Sequence, residues 1–147
     1  MTTGGCQCGA VRIEARGAPV RVLACHCRMC QRATGNAFAP LAEFAAADVT
    51  IEGEVATWAS SNVSERGFCP RCGTPLFLRD RDGNVIELMV GAMAEPGALA
   101  PAYHYGVEGR VGWLEGFGDL PAYRTGHGPD EYDGPAIESR QAPERRA

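Results

Sequence analysis

The chain has 147 residues, of which 45% are hydrophobic and 22% charged, with a formal net charge of −4. This is enough for one globular domain with a real core, and the acidic balance excludes the basic face of a typical nucleic-acid binder. All fourteen positive residues are arginine, which excludes lysine Schiff-base chemistry and a Walker-type phosphate loop.

The first ten residues, MTTGGCQCGA, lack the charged and apolar regions of a signal peptide, and no apolar run approaches the length of a membrane span. A cytoplasmic location is expected. Thiols stay reduced there, so seven cysteines point to metal binding or thiol chemistry before disulfides.

Strand signals dominate. AVRIEAR (10–16) alternates Val11, Ile13 and Ala15 with polar residues, the period of a half-buried strand. VRVLA (20–24) predicts a second strand running into the cluster ACHCRMC (24–30). RMCQRATGN (28–36) predicts one or two helical turns stopped by Gly35. DVTIEG (48–53) predicts a strand ending at a glycine, and PLFLRD (75–80) with NVIELMV (84–90) predicts a hairpin around an Asp-Gly turn. AEPGAL (94–99) has room only for a short turn. Trp58, Phe68, Phe77, Trp113 and Phe117 read as core or strand-packing residues. From about Thr125 the chain is polar, Gly/Pro-rich and aperiodic, so a domain over 3–124 and a loosely held tail over 125–147 are expected.

The cysteines carry the chemistry. CQCG (6–9) and CPRCG (69–73) are tight turns in which a pair of sulfurs can face one metal, and neither pair fills a tetrahedral site alone. Joining Cys6 and Cys8 to Cys69 and Cys72 closes a structural four-thiolate zinc site. Cys25, Cys27 and Cys30 remain, spaced so that all three can meet a second zinc. Three protein ligands and one open position is the catalytic zinc pattern, and a thiol entering there would be held as thiolate. Spacing alone leaves two other readings: a second structural zinc closed by His26, His104 or another side chain, and a metal-free thiol cluster that senses oxidants. In an extended segment His26 would point away from its two cysteine neighbours.

Four stretches in order, GGCQCGAVRIEA, ACHCRMCQRATGNAF, SERGFCPRCGTPLF and PAYHYGVEGRVGWLEGFGDLPAY, resemble the glutathione-dependent formaldehyde-activating enzyme family, whose domain is shared with centromere protein V. The resemblance covers about Gly4 to Tyr123. It implies a mainly β fold, the "β-tent" of several small antiparallel sheets around a structural zinc, with few helical turns. It matches Cys6, Cys8, Cys69 and Cys72 to the structural ligands, and Cys25, Cys27 and Cys30 to the catalytic ones. It implies two zinc ions per chain and a carbon–sulfur lyase activity in formaldehyde detoxification, the reversible addition of glutathione to formaldehyde. Without lysine, the glutathione carboxylates need arginine or backbone N–H groups, and Arg28, Arg32 and Arg66 are the arginines near the cysteine motifs. His26 and His104 are the side chains that titrate nearest neutrality and are candidates for a proton donor. The competing class is a non-catalytic binding module in which both zinc sites are structural. The oligomeric state is not written in the sequence.

Overall fold

Short alternating segments separated by glycine turns build a mainly β chain, seen here in a computed structural model that describes residues 1–125, 134–135 and 138–143. The strands are β1 (Thr2–Gly5), β2 (Arg12–Ala15), β3 (Arg21–Cys25), β4 (Ala39–Ala45), β5 (Val49–Glu52), β6 (Ala56–Ala59), β7 (Ser64–Phe68), β8 (Pro75–Asp80), β9 (Val85–Met89) and β10 (Tyr103–Tyr105). One α-helix among the described residues, α1 (Arg28–Thr34), follows β3. Its C-cap, Gly35, has φ +63, a left-handed conformation in which a glycine carries no Cβ penalty. The remaining helical pieces are 3-10 turns, including Pro96–Ala98 inside the expected turn at 94–99. No helix among the described residues is long and apolar enough to cross a membrane.

The strands sort into a three-stranded antiparallel sheet, β1-β2-β5, and a seven-stranded sheet, β10-β3-β4-β9-β8-β7-β6. All neighbours in the larger sheet are antiparallel except β10, which adds to β3 in parallel. The expected hairpin is present as β8 and β9.

Cross-strand partners share a face, so the register defines what each face carries. Val22, Ala42, Leu88 and Phe77 form one continuous row and are all buried. They belong to the same core as Ile13 and Ala15 of the smaller sheet. The opposite face carries the row Arg21, Glu43, Glu87, Leu78, Arg66 and Trp58. Cys25 lies on this second face, four residues along β3 from Arg21. One face of the large sheet is therefore core, and the other carries this row of charges, then a buried apolar row, Leu23, Leu41 and Met89, and then Cys25.

The aromatic residues divide. Phe77 is core at 2% exposure and Trp58 is an exposed strand residue at 66%, whereas Trp113 and Phe117, exposed at 61% and 56% on a 3-10 turn, are neither core nor strand residues, which corrects the expectation for those two. Trp58 is on the edge strand β6, and Trp113 packs mainly on Phe117, with ring centroids 5.9 Å apart. Of the expected tail, residues 126–133, 136–137 and 144–147 lie outside the described residues. Among those described, the Ala142 N–H donates to Gln7 O at 2.7 Å.

Candidate functional site

Two backbone turns gather the first cysteine group. After β1, the Gly9 N–H closes onto Cys6 O, and the Val11 N–H donates to Cys6 Sγ at 3.2 Å. Between β7 and β8, the Gly73 N–H closes onto Cys69 O, and the Thr74 hydroxyl lies 3.1 Å from Cys72 Sγ. Thr74 Oγ1 also accepts from the Gln7 N–H, joining the two turns. The sulfurs of Cys6, Cys8, Cys69 and Cys72 all lie within 4.8 Å of one another. This cluster ties the small sheet to the β7–β8 hairpin of the large one.

The second group forms where β3 turns into α1. Cys25 ends the strand, Cys27 is the N-cap, and Cys30 lies in the first helical turn. The Cys30 N–H donates to Cys27 Sγ at 3.4 Å, so sulfur takes the place of the usual capping oxygen. The Gln31 amide is buried and donates to His26 O and to Gly109 O, both at 2.8 Å, which pins the helix to the segment after β10. That segment approaches closely: Gly106 has φ +65, and a Cβ there would lie 3.0 Å from Cys27 N. The three sulfurs lie within 4.8 Å of one another, and among the described residues no His, Asp, Glu or further Cys joins them.

Both groups suit zinc. A tetrahedral site with zinc–sulfur bonds of about 2.3 Å puts its sulfurs about 3.8 Å apart. The observed spacings are 3.5 Å for Cys6–Cys8, 3.9 Å for Cys8–Cys69 and 3.5 Å for Cys25–Cys27. Proton sharing already separates the thiols electrostatically. The hydrogen bond from Cys25, opposed by burial and reinforced by Arg66, pulls Cys30 down to about 5, while Cys25 is pushed up by the same sharing and by burial. In the other cluster, burial raises Cys72, but hydrogen bonds from Thr74 outweigh it and hold the thiol at about 6.

The histidines are placed elsewhere. His26 is 1% exposed and turns away from the trio, with its Nε2 at 2.9 Å from His104 Nδ1. His26 Nδ1 is buried without a partner. A buried N–H left orphaned is rarer than a bare acceptor, so the proton belongs on His26 Nε2 and His104 Nδ1 accepts it. The arginines also separate. Arg28 is exposed and donates to Gln31 Oε1, and Arg32 is exposed. Arg66 is only 8% exposed and donates through Nη2 to Cys30 Sγ at 3.4 Å. It reaches across from β7, four places from β3 in the sheet, because α1 packs on β4 and carries Cys30 toward it. Sequence proximity to a cysteine motif marked all three arginines and could not rank them. Glu87 was not marked at all, because nothing in NVIELMV distinguishes a glutamate on the face that carries the cysteine trio from one in solvent.

Comparison with known proteins places this geometry. A crystal structure of a Rhodobacter sphaeroides protein superimposes with a TM-score of 0.56 at 22% identity, covering 69% of this chain and 98% of that one, a likeness of fold. An uncharacterized lyase of Schizosaccharomyces pombe is 30% identical over 80 residues, 54% of this chain. The match spans 58% of that relative's length. The family model described as glutathione-dependent formaldehyde-activating enzyme matches residues 1–108, which hold all seven cysteines. The chain belongs to the glutathione-dependent formaldehyde-activating enzyme family.

Proposed function

We propose that this chain is a zinc-dependent carbon–sulfur lyase that reversibly joins a small thiol, glutathione or a similar molecule, to formaldehyde or another small aldehyde. One observation carries the reading: one cysteine group has four sulfurs and the other has three, with no further side-chain donor beside it among the described residues. Cys6, Cys8, Cys69 and Cys72 would hold a structural zinc, and Cys25, Cys27 and Cys30 a catalytic one. Zinc bound to the trio would supply an electrostatic environment in which a substrate thiol is deprotonated at neutral pH. The working unit is residues 3–124 in the cytoplasm, with 125–147 as an appended tail.

The chemistry is balanced without a redox partner. A carbon–sulfur bond forms, the carbonyl π pair becomes an oxygen lone pair, and the thiol proton ends on that oxygen. The chain's own part is to present a sulfur-lined corner of the large sheet, beside Tyr105 and past the apolar row of Leu23 and Leu41. Three thiolates around a divalent ion leave one net negative charge, which the buried Arg66 guanidinium offsets. The test is two-dimensional NMR exchange between free and hydroxymethylated thiol, together with X-ray absorption at zinc. Exchange accelerated over the uncatalysed rate, and mean sulfur coordination rising when thiol is added, are the expected results. Unchanged coordination and uncatalysed exchange would leave a binding module with two structural zincs.

A further inference from the structure

Arg66 is the most constrained polar side chain near the cysteine trio. It is only 8% exposed, and among the described residues its side chain forms no ion pair and a single hydrogen bond, from Nη2 to Cys30 Sγ. Its Nε and Nη1 are buried and have no acceptor. A guanidinium carries five N–H donors, and leaving buried ones unpaired is unfavourable, so this position calls for a ligand with acceptor oxygens. The neighbouring carboxylates do not serve. Glu87, two strands away in the same row, makes no ion pair with Arg66 among the described residues, Glu43, a strand further, is committed to Arg21, and Glu65, the residue before Arg66, is committed to Arg79. The backbone holds the arginine in place: Arg66 pairs with Leu78 and Trp58, and Gly67 beside it lies against the Phe77 ring.

We propose that Arg66 receives the alkoxide oxygen that develops on the aldehyde carbon as the substrate thiolate adds to it. This rests on the thiol–aldehyde reading above and names the group that holds the new charge. In the addition the thiolate sulfur forms a bond to carbon, the carbon–oxygen π pair moves to oxygen, and the oxygen later takes a proton from solvent. That oxygen is two bonds from the reacting sulfur. A guanidinium already hydrogen-bonded to one sulfur of the trio therefore has its remaining donors beside the place where oxygen charge appears. Preorganised donors at that place favour the transition state over the uncharged aldehyde. In the reverse direction the same donors steady the oxygen as the carbon–sulfur bond breaks.

The test has two arms. The first uses the wild-type protein and needs no variant to fold. The Arg66 Nε–H resonance, assigned by its loss in Arg66→Lys, is followed by NMR while formate is added as a small oxyanion probe. A saturable downfield shift is expected, and an unmoved resonance overturns the proposal. The second arm measures exchange kinetics of Arg66→Lys, which keeps the charge but loses the planar set of donors. Both glutathione and 2-mercaptoethanol, a thiol without carboxylates, are used at matched zinc content. The expected result is a fall in kcat of about 100-fold with either thiol and little change in KM. A defect confined to KM for glutathione would assign Arg66 to a substrate carboxylate and overturn the alkoxide role. Absence of catalysed exchange in the wild type would instead defeat the lyase reading, while the formate arm still reports on Arg66.

Discussion

His26 and His104 meet across the parallel β3–β10 edge, with Nε2 of one 2.9 Å from Nδ1 of the other. The contact joins a buried imidazole to an exposed one and commits Nδ1 of His104 to His26. Removing it leaves a buried N–H without an acceptor. His104→Ala is expected to cost about 1–2 kcal/mol in urea unfolding, with His104→Asn recovering part of this through its amide oxygen. Zinc content, read by mass spectrometry, should stay at the wild-type value. Loss of one zinc in His104→Ala would make this histidine a fourth ligand and close the site.

The two cysteine groups should respond differently to single substitutions. Cys69 is fully buried and joins the two sheets through its cluster, so Cys69→Ser should lose one zinc and about 5 kcal/mol or more of stability. Cys27 is at the surface end of the trio, at the N-cap of a seven-residue helix. Cys27→Ser should also lose one zinc and abolish exchange, but leave the far-ultraviolet circular dichroism intact. Equal destabilisation by both would show that the two metals share one structural role.

The legible parts of the fold were those where one face of a segment is buried and the other wet. RIEA of the alternating AVRIEAR became β2, with Ile13 and Ala15 buried and Arg12 and Glu14 exposed, and RMCQRAT with Gly35 became α1 with its left-handed cap. β4 was not legible. Its residues Leu41, Ala42, Glu43 and Phe44 are all buried, so it has no alternation to read, and Pro40 argues against a central strand. Pro40 is tolerated at the second position of the strand, opposite Ala24. β10 was hidden for another reason: three exposed residues acquire strand geometry only by pairing with β3, some 80 residues earlier. The two cysteine groups were legible because cysteine is scarce and its spacing is short. Arg66 and Glu87 were not, because their environment comes from cross-strand register, which sequence spacing does not encode.

Glu87 carries a pH signature. It sits between Glu43 and Leu78 in the charged row. Burial first, then the Glu43 carboxylate and Cys30, raise its carboxyl from an ordinary 4.5 to about 7, with Arg21 opposing and Asp80 adding. The folded state therefore holds this proton more tightly than the unfolded chain. Its contribution is fully present below about pH 4.5 and is lost as pH rises through about 7. A rise of this size corresponds to about 3 kcal/mol at full strength, and solvent screening at a part-buried position reduces it by roughly half. Glu87→Gln is thus expected to match wild type at pH 4 and to exceed it by about 1–2 kcal/mol at pH 8, measured by urea unfolding. A variant equally destabilised at both pH values would show that hydrogen bonds to the carboxylate, and not burial, govern the position.

Gly67 tests how the arginine is held. A Cβ at this position would lie 2.2 Å from two atoms of the Phe77 ring, and Phe77 is 2% exposed with the core on its other side. The ring has no solvent to turn into, so Gly67→Ala must push β7 away from β8. Overpacking of this kind costs about 1–3 kcal/mol. The neighbouring Arg66 moves with the strand, and its Nη2 loses alignment with Cys30 Sγ. The variant should unfold at lower urea, keep both zincs, and show a lower kcat without a matching rise in KM. Gly67→Ala combined with Phe77→Leu, which opens space beside the added methyl, should recover part of both losses. If stability recovers in the double variant while kcat stays at the wild-type value throughout, the position of Arg66 is irrelevant to turnover.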